Sequence, residues 1–226
     1  MTLKPPAFDP IISLPASAAT LDGFRAWTHS DRFPERGRIS FIDQEIVIDM
    51  SPERLDTHNK VKTEIIRMLA NLNVERDLGN LYSDRTSLAN EEVELSTEPD
   101  ATFATWMSFE AGRIRAVPSE SSDRDFIELA GTPDWVLEIV SPGSVHKDTR
   151  QLREKYYRAG ISEYWLIDAR GRTILFDVLH PGTDGYVRGP RRGGWRRSLV
   201  FARLFRLTRR RDRLGQWQYR LEVKAK

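Results

Sequence analysis

The sequence contains no cysteine, and this absence excludes several kinds of site. Disulfides, thiolate zinc sites, iron–sulfur clusters and cysteine nucleophiles all require a thiol. The sequence also lacks an apolar run approaching the roughly 20 residues that a membrane-spanning helix needs. The N-terminal apolar stretch is interrupted by prolines, which is unfavourable for a signal peptide. We therefore expect no membrane partner and a cytoplasmic location.

The residues that are present are those of a folded domain. Among 226 residues, 39% are hydrophobic, and ten Phe, six Trp and six Tyr are included. Disordered chains are poorer in aromatic residues, and a chain of this length can bury a substantial core. No repeat and no long linker divides the sequence. The alternation of helical and strand patterns predicts one layered α/β domain with a mixed sheet.

Charge is distributed unevenly along the chain. Residues 188–226 contain fourteen Lys and Arg against two Asp and Glu, whereas the remainder contains 21 basic and 31 acidic residues. A basic segment on an acidic body is typical of a polyanion-binding surface, and the alternative is an arginine-rich solvated face. Aromatic residues are interleaved with the arginines, so we expect the segment to pack with its charges on one side. The candidate nucleic-acid contacts are Arg191, Arg192, Arg196 and Arg197.

Hydrophobic periodicity predicts the elements that matter for a site. Residues 38–42 and 45–50 form a hairpin pattern across Asp43-Gln44, and an amphipathic helix follows Ser51-Pro52-Glu53. The apolar run at 135–140 predicts a central strand that is buried on both faces. Residues 147–159 predict a helix with Gly160 at its C-cap. The polar stretch 111–126 predicts a surface excursion.

Glu138 is the most informative residue for chemistry because it lies in the middle of the apolar run at 135–140. A buried lone carboxylate must be paired, protonated or bound to a cation. The alternatives are an edge-strand Glu that faces water and a Glu paired with a core arginine. Asp134 lies four residues earlier and so on the same strand face, although an Asp after Pro is often a turn or cap residue.

Asp100 follows Pro99 at the start of a second apolar strand, and on its own this dipeptide marks only a turn. Placed beside Glu138 on an adjacent strand, it would give two converging carboxylates. Oxygen ligands of this kind suit magnesium or manganese and not zinc. Such an ion can activate water and neutralise charge on a phosphodiester.

Two basic residues could assist that chemistry. Lys155 lies on the helix after the central strand, seven residues from Asp148, and this spacing directs both to about the same side. Lys155 could therefore hold a phosphate oxygen or the attacking water, or it could be a solvated helix lysine. His58 lies near the N-terminus of the earlier helix and could contact a phosphate, orient a carboxylate or be structural.

A series of motifs with specific order and spacing joins these residues. It comprises Ile42-Asp43-x-Glu45, Met50-Ser51-Pro52, His58, Pro99-Asp100, Pro133-Asp134-x-x-x-Glu138-Ile139-x-Ser141-Pro142, Asp148, Lys155, Tyr157-x-Ala159-Gly160 and Glu163-Tyr164-Trp165-x-Ile167-Asp168. The series, from about residue 33 to 187, resembles the Uma-type (Uma-two) family of predicted bacterial endonucleases. That family is placed in the restriction-endonuclease-like PD-(D/E)XK superfamily.

The resemblance implies a restriction-endonuclease-like fold, with a central mixed β-sheet flanked by helices, and a magnesium-dependent nuclease, with manganese as a second possible ion. It implies a metal site made of Asp100, Glu138 and the Ile139 carbonyl, with Lys155 and His58 catalytic and Asp134 and Asp148 supporting. The expected division is an N-terminal arm at 1–19, a nuclease-like domain at 20–187 and a β-rich basic extension at 188–226. The expected partners are nucleic acid, most simply DNA, and a second copy of the chain in a homodimer.

Two positions depart from the family pattern. Ser40 occupies the place of the acid in an Arg-x-Glu pattern that begins at Arg38, and Gln44 replaces a turn glycine. A catalytically silent nucleic-acid-binding or protein-interaction module on the same fold is therefore the alternative function. A metal hydrolase acting on another phosphoester is a further one.

Overall fold

The structure, a computed structural model, describes residues 12–119 and 122–225. Its α-helices are α1 (Leu21–Thr28), α2 (Lys60–Arg76), α3 (Trp106–Glu110) and α4 (Leu152–Arg158), with π-helical turns at Leu55–Asn59 and Lys147–Gln151 and 3-10 turns at Ala16–Ala19 and Glu91–Val93. Its strands are β1 (Arg38–Ile42), β2 (Glu45–Asp49), β3 (Gly79–Ser83), β4 (Ser87–Asn90), β5 (Leu95–Thr97), β6 (Ala101–Thr105), β7 (Ile114–Ser119), β8 (Ser122–Gly131), β9 (Trp135–Ile139), β10 (Glu163–Asp168), β11 (Leu175–Pro181), β12 (Tyr186–Arg188), β13 (Arg191–Arg192), β14 (Trp195–Ser198), β15 (Arg203–Arg211) and β16 (Trp217–Lys224).

A six-stranded mixed sheet forms the centre of the molecule, in the order β12-β11-β10-β9-β6-β3. Strand β9 runs parallel to β10 and antiparallel to β6, and every residue of β9 is buried. This confirms the prediction of a central strand, because a strand covered on both faces loses the alternation of polar and apolar residues. The predicted α/β class with a mixed sheet is also confirmed.

Different elements cover the two faces of the central sheet. Helix α2 presents Val61, Ile65 and Leu69 to one face, where they join a core cluster with Leu137 and Ile139 of β9. Helix α4 lies on the other face, together with the sheet β2-β1-β5-β4-β8-β7. No helix in the described ranges is long and apolar enough to cross a membrane.

The C-terminal strands β13 to β16 form a third sheet that contributes side chains to the α2 side of the core. The ring centroid of Phe205 lies 4.9 Å from that of Trp165, and the ring centroid of Phe201 lies 5.6 Å from that of Trp135. The buried Glu163 of β10 accepts a 2.6 Å hydrogen bond from the Leu199 amide. The segment is therefore β-rich and packed, whereas the expected boundaries after residues 19 and 187 stay predictions. Residues 1–11 of the expected arm lie outside the described residues, and Ala16–Ala19 forms a 3-10 turn.

The hairpin predicted across Asp43-Gln44 is confirmed. Strands β1 and β2 pair from Arg38↔Asp49 to Ile42↔Glu45, which leaves a two-residue loop. Asp43 and Gln44 have φ angles of 53° and 62°. A two-residue turn with positive φ at both positions matches the right-handed twist of the flanking strands, but it strains residues other than glycine, asparagine and aspartate.

The segment predicted as a surface excursion, 111–126, lies at the surface over most of its length, but it forms strands that the sequence did not predict. Strands β7 and β8 form an antiparallel hairpin there, and β8 continues into the sheet by pairing in parallel with β4. Phe126 and Ile127 on β8 are exposed. The distal part of the hairpin lacks a buried face, so its sequence shows no apolar alternation from which strands could be predicted.

The helix predicted at 147–159 is confirmed, with Gly160 at a φ of 73° after its last turn. It begins, however, with the π-helical turn Lys147–Gln151. A π-turn adds one residue to a turn of helix, and each residue rotates a helix by about 100°. The seven-residue spacing between Asp148 and Lys155 therefore no longer places both on one face.

Candidate active site

Asp100 lies immediately before β6 and is buried. Its neighbour Ala101 is the first residue of β6 and pairs with Leu137, so Asp100 lies near Glu138, the residue after Leu137 on β9. The Ile139 amide donates a 2.8 Å hydrogen bond to Asp100 Oδ2. The two predicted acids therefore lie close enough to interact electrostatically, with Asp100 contacted by His58 and Lys62 from the α2 side and Glu138 by Tyr156 from the α4 side.

Three cationic side chains surround Asp100. His58 Nε2 lies 3.2 Å from Oδ2, and Arg38 Nη2 and Lys62 Nζ each lie 3.6 Å from Oδ1. Burial acts to raise the pKa of Asp100, but the hydrogen bond and charge of His58 and the charges of Arg38 and Lys62 outweigh it and lower the pKa to about 2. Asp100 is therefore an anion throughout the physiological pH range.

His58 connects Asp100 to a second carboxylate. Its Nδ1 lies 2.9 Å from Oε1 of Glu53, which also forms an ion pair with Lys62 Nζ at 2.7 Å. Burial acts to lower the pKa of His58, but Asp100 outweighs it and raises that pKa. The imidazole is placed on the π-helical turn Leu55–Asn59. With both ring nitrogens engaged, His58 fixes the orientation of Asp100 from the helix side.

Glu138 has a different environment, although it lies beside Asp100. It is buried in β9, and the Tyr156 hydroxyl donates a 2.7 Å hydrogen bond to its Oε1. Burial raises the pKa of Glu138 to about 8, with the charges of Asp148 and Asp100 adding to the shift and Lys147 opposing it. Two neighbouring carboxyl groups with widely separated pKa values are a feature of many catalytic centres.

Asp148 adds a third buried carboxyl group, on the π-helical turn Lys147–Gln151. The Ser144 hydroxyl donates a hydrogen bond to Oδ2, whereas Oδ1 has no hydrogen-bond partner in the described part of the chain and lies 3.5 Å from Lys147 Nζ. Burial raises the pKa of Asp148 to about 6. Burial opposes the charge on Lys147, but Glu138 and Asp148 outweigh it and raise the pKa of that ammonium group.

The carboxylate oxygens of this site are donors that suit a hard divalent ion. The protein would supply two carboxylates and would not surround the ion completely. Within residues 12–119 and 122–225, no group of three or more acidic or histidine side chains is arranged to hold a metal ion. Magnesium is commonly bound by one or two carboxylates and otherwise by water and substrate phosphate. The free Oδ1 of Asp148 and the strongly raised pKa of Glu138 both indicate a deficit of positive charge that such an ion would remove.

Lys155 is not brought to these acids, which corrects the expected placement. Its ammonium group is buried and donates a 2.6 Å hydrogen bond to the Val93 carbonyl, and it lies 2.5 Å from Asp43 Oδ1. It therefore joins α4 to the neighbouring sheet. The π-helical turn rotates Lys155 away from Asp148, and Lys147 is the lysine that lies among the carboxylates.

Asp134 and Arg196 are also engaged elsewhere. Asp134 accepts hydrogen bonds from the Thr105 amide at 2.7 Å and the Ser108 hydroxyl at 2.9 Å, so it stabilises the start of α3. Arg196 is buried and donates to the Phe176 carbonyl at 2.9 Å, which contradicts its expected exposure. Of the other arginines expected to bind nucleic acid, Arg191, Arg192 and Arg197 are exposed.

Sequence reasoning missed four charged residues of the site: Arg38, Glu53, Lys62 and Lys147. For Lys62 a signal exists, since it follows His58 by four residues and thus shares its helix face. Lys147 is adjacent to the predicted Asp148, but only the π-turn places it beside Glu138. Ser40, at the position of the missing family acid, is buried and hydrogen-bonded to Thr97 at 3.0 Å.

Comparison with known proteins places this geometry in a family. A family model described as Uma2, a putative restriction endonuclease, matches residues 21–209. The match covers the three elements that carry the acids and extends through most of β15. A search of curated proteins finds no match.

Proposed function

The chain belongs to the Uma2 family of putative restriction endonucleases, and from this premise we propose that it is a metal-dependent nuclease that hydrolyses phosphodiester bonds in nucleic acid, with DNA as the substrate. The restriction-endonuclease-like fold agrees with the mixed central sheet and its flanking helices. The observation that supports the proposal best is the proximity of Asp100, at the start of β6, to Glu138 on the neighbouring strand β9.

In this proposal, Asp100, Glu138 and the Ile139 carbonyl hold the ion, which we expect to be magnesium, with manganese as a substitute. When bound, a divalent ion lowers the pKa of a water molecule and offsets charge on a phosphate oxygen. Asp100 is ready to bind because His58, Arg38 and Lys62 keep it ionised. Glu138 must release a proton first, so ion binding and proton release are linked.

The remaining charged groups have separate tasks in the proposal. Lys147 lies beside the carboxyl groups with its ammonium protonated, so it can stabilise the negative charge that develops on the phosphate. Asp148 holds that ammonium group from 3.5 Å. His58 positions Asp100 and, being shared between Asp100 and Glu53, is a positioning residue. Lys147 thus takes the role that the resemblance implied for Lys155.

The test is a magnesium-dependent cleavage assay on plasmid DNA with Glu138→Gln, which keeps the shape of the side chain. We expect cleavage to fall by at least about 100-fold, because one of two protein carboxylates is lost. Glu154→Gln is the matched control, since Glu154 is an exposed acid on α4 and its removal should leave cleavage unchanged. Full cleavage by Glu138→Gln would refute the assignment.

A catalytically silent nucleic-acid-binding or protein-interaction module is the second candidate, and two observations favour it. Ser40 replaces the family acid, and the described residues contain no complete metal cage. Titration calorimetry with manganese distinguishes the candidates. Heat of binding that disappears in Asp100→Asn supports the nuclease, whereas intact DNA binding with no manganese binding supports the silent module.

Location and assembly are further parts of the proposal. A nuclease of this kind acts on cytoplasmic DNA, and two strand cuts need two active sites, which a homodimer provides. Size-exclusion chromatography with light scattering measures the mass directly, and a monomer at working concentrations would contradict the dimer.

A further inference from the structure

The hairpin of β15 and β16 ends in a rigid turn. Its strands pair continuously from Leu204↔Lys224 to Arg211↔Trp217. Beyond the last pair, the Asp212 carboxylate accepts hydrogen bonds from the Leu214 amide at 2.8 Å and the Gln216 amide at 2.9 Å. A carboxylate that satisfies turn amides in this way fixes the backbone, so side chains on the turn have defined positions.

Four arginines project from this tip, at 209, 210, 211 and 213, and the only acid among them is the Asp212 used by the turn. Arg210, Arg211 and Arg213 are exposed. Two clefts of about 450 and 460 Å³ lie at the tip, and Arg210 lines both. Arg67 and Arg220 extend the first cleft, and Arg213 lies in the second. Glu64 also lines the first cleft, where it pairs with Arg67, and Asp212 lines the second, so the surface is predominantly positive and lies on a fixed backbone.

Trp217 orders the guanidinium groups at the base of the tip. The guanidinium carbon of Arg211 lies 3.5 Å from the centroid of its ring, and that of Arg209 lies 4.0 Å from it. Arg209 also donates to the carbonyls of Ala169 and Gly171 at 2.8 Å and 2.6 Å. Stacking and hydrogen bonding reduce the entropy that these side chains lose when an anion binds.

The tip also lies next to the segments that carry the acid site. The Trp217 amide donates to Asp56 at 3.4 Å, and Lys60 donates to Gln216 at 2.9 Å. Asp56 belongs to the π-helical turn that carries His58. On the other side, Arg209 binds the loop that follows β10, where Arg170 reaches the Ser141 carbonyl at 3.4 Å.

The arginines predicted from the sequence as nucleic-acid contacts lie elsewhere. Arg191 and Arg192 form the edge strand β13, three strands from β16 and on the opposite edge of the C-terminal sheet. Arg196 is buried against the Phe176 carbonyl. Within the described residues, none of these three arginines donates a hydrogen bond to the π-helical turn or to the loop after β10.

We propose that the tip of the β15–β16 hairpin, residues 209–217, binds the phosphodiester backbone of nucleic acid and holds it beside the acid site. The identity of the polyanion rests on the proposed function. Guanidinium groups bind phosphate oxygens in a bidentate manner, and such contacts do not depend on sequence. The hairpin is therefore the surface along which the substrate backbone runs.

The test compares two double variants of equal charge change in a metal-free buffer, where cleavage is absent. Arg210→Gln with Arg213→Gln removes exposed charge from the tip, and Arg191→Gln with Arg192→Gln is the matched control on β13. Binding to a short fluorescein-labelled DNA duplex, and to its single strand, is measured by fluorescence anisotropy over a range of salt concentrations. Neither variant removes Arg209, Arg211 or Trp217, so the tip keeps its supporting contacts.

We expect the tip variant to bind at least about ten-fold more weakly at moderate salt and to lower the slope of log K against log salt by about 2, because two phosphate contacts are lost. The control should bind within about three-fold of the unaltered chain by the same reasoning. Equal binding by the tip variant and the unaltered chain, a larger loss in the control, or no DNA binding by the unaltered chain would overturn the inference.

The outcomes separate this inference from the proposed nuclease activity. Tip-dependent binding by a chain that never cuts DNA with magnesium would retain the inference and refute the nuclease. Magnesium-dependent cutting that is unaffected by the tip variant, with unchanged binding, would retain the nuclease and refute the inference.

Discussion

At the scale of single residues, the site contains two carboxyl groups whose pKa values are shifted in opposite directions by their surroundings. Asp100 receives an amide and three cationic side chains, whereas Glu138 receives one tyrosine hydroxyl and the charge of Lys147 against the charges of two neighbouring acids. Desolvation penalises both anions, and only Asp100 has enough partners to overcome it. The ionised form of Glu138 is therefore poorly stabilised, and an added positive charge beside it would stabilise that form.

The raised pKa of Glu138 predicts how metal-free stability depends on pH. The pKa rises from an ordinary value of 4.5 to about 8 on folding, so the folded state holds this proton more tightly. Stability from this group is fully present below pH 4.5 and is lost as the pH rises toward 8. Glu138→Gln should therefore stabilise the metal-free protein at pH 8, on the order of a few kcal/mol, and have little effect at pH 4.5.

Urea unfolding at the two pH values in the presence of a chelator measures this difference. The exposed Glu154→Gln serves as the control and should show no such pH dependence. An equal effect of Glu138→Gln at both pH values would show that folding does not raise the pKa of this carboxyl group.

Lys147, which lies among the acids, and Lys155, which lies away from them, should respond differently to replacement by methionine. Lys147→Met removes the ammonium group beside Asp148, so we expect kcat to fall by about 100-fold or more. Lys155→Met breaks contacts to Val93 and Asp43, so we expect a lower Tm and a kcat within about three-fold of the unaltered chain. Cleavage rates and thermal unfolding are measured on both variants. A kcat loss confined to Lys155→Met would reverse the assignment.

At the scale of elements, the β1–β2 turn carries strain that one substitution can remove. Gln44 has a φ of 62°, a region that glycine occupies without steric cost. Gln44→Gly should therefore raise the free energy of unfolding by about 0.5–1 kcal/mol, even though it loses a 3.3 Å hydrogen bond to the exposed Glu94. Chemical denaturation measures the change.

Gln44→Ala is the control for that prediction, because it loses the same hydrogen bond and keeps the strained φ. It should not be more stable than the unaltered chain. Greater stability of Gln44→Ala than of Gln44→Gly would mean that the side chain of Gln44, and not its backbone, limits stability.

The strands and helices that carry the site differ in how clearly their sequences predict them, so the sequence predicts part of the site and not the rest. Two apolar strands that each carry an acid are readable from periodicity, whereas it is the family resemblance that implies that Asp100 and Glu138 share one site. The π-helical turn Lys147–Gln151 leaves no recognisable pattern, and it decides that Lys147 and not Lys155 lies among the acids. Arg196 was wrongly predicted to be exposed. In the sequence of a basic segment, an arginine that is buried and donates to a backbone carbonyl cannot be distinguished from an exposed one.

At the scale of the whole molecule, the central sheet was predictable and the second and third sheets were less so. Strand β9 is entirely apolar apart from Glu138, and its burial follows directly. The β7–β8 hairpin is solvated over much of its length and gives no such signal. How strands from distant parts of the chain associate depends on long-range packing, which local periodicity does not encode.

The shared core predicts that the C-terminal sheet and the nuclease-like part unfold together. Phe201 is fully buried and packs against Phe103, Trp135 and Trp165. Phe201→Ala should therefore cost about 3–5 kcal/mol in a single unfolding transition. Leu199→Ala is the control, because Leu199 is exposed and its loss should have little effect.

Urea unfolding followed by circular dichroism at several wavelengths tests this prediction. Two transitions, of which Phe201→Ala shifts only the smaller, would show that residues 188–226 form an independent unit.

The packing of Trp135 against Trp165 gives the molecule an internal optical reporter. Their ring centroids lie 5.3 Å apart with planes at 84°, and both rings are fully buried. Indoles at this separation exchange excitation energy, and a dry environment shifts their emission toward the blue. Because Phe201 and Phe205 pack against this pair, the part of the fluorescence that comes from Trp135 and Trp165 should shift to the red when the C-terminal strands detach, without any added dye.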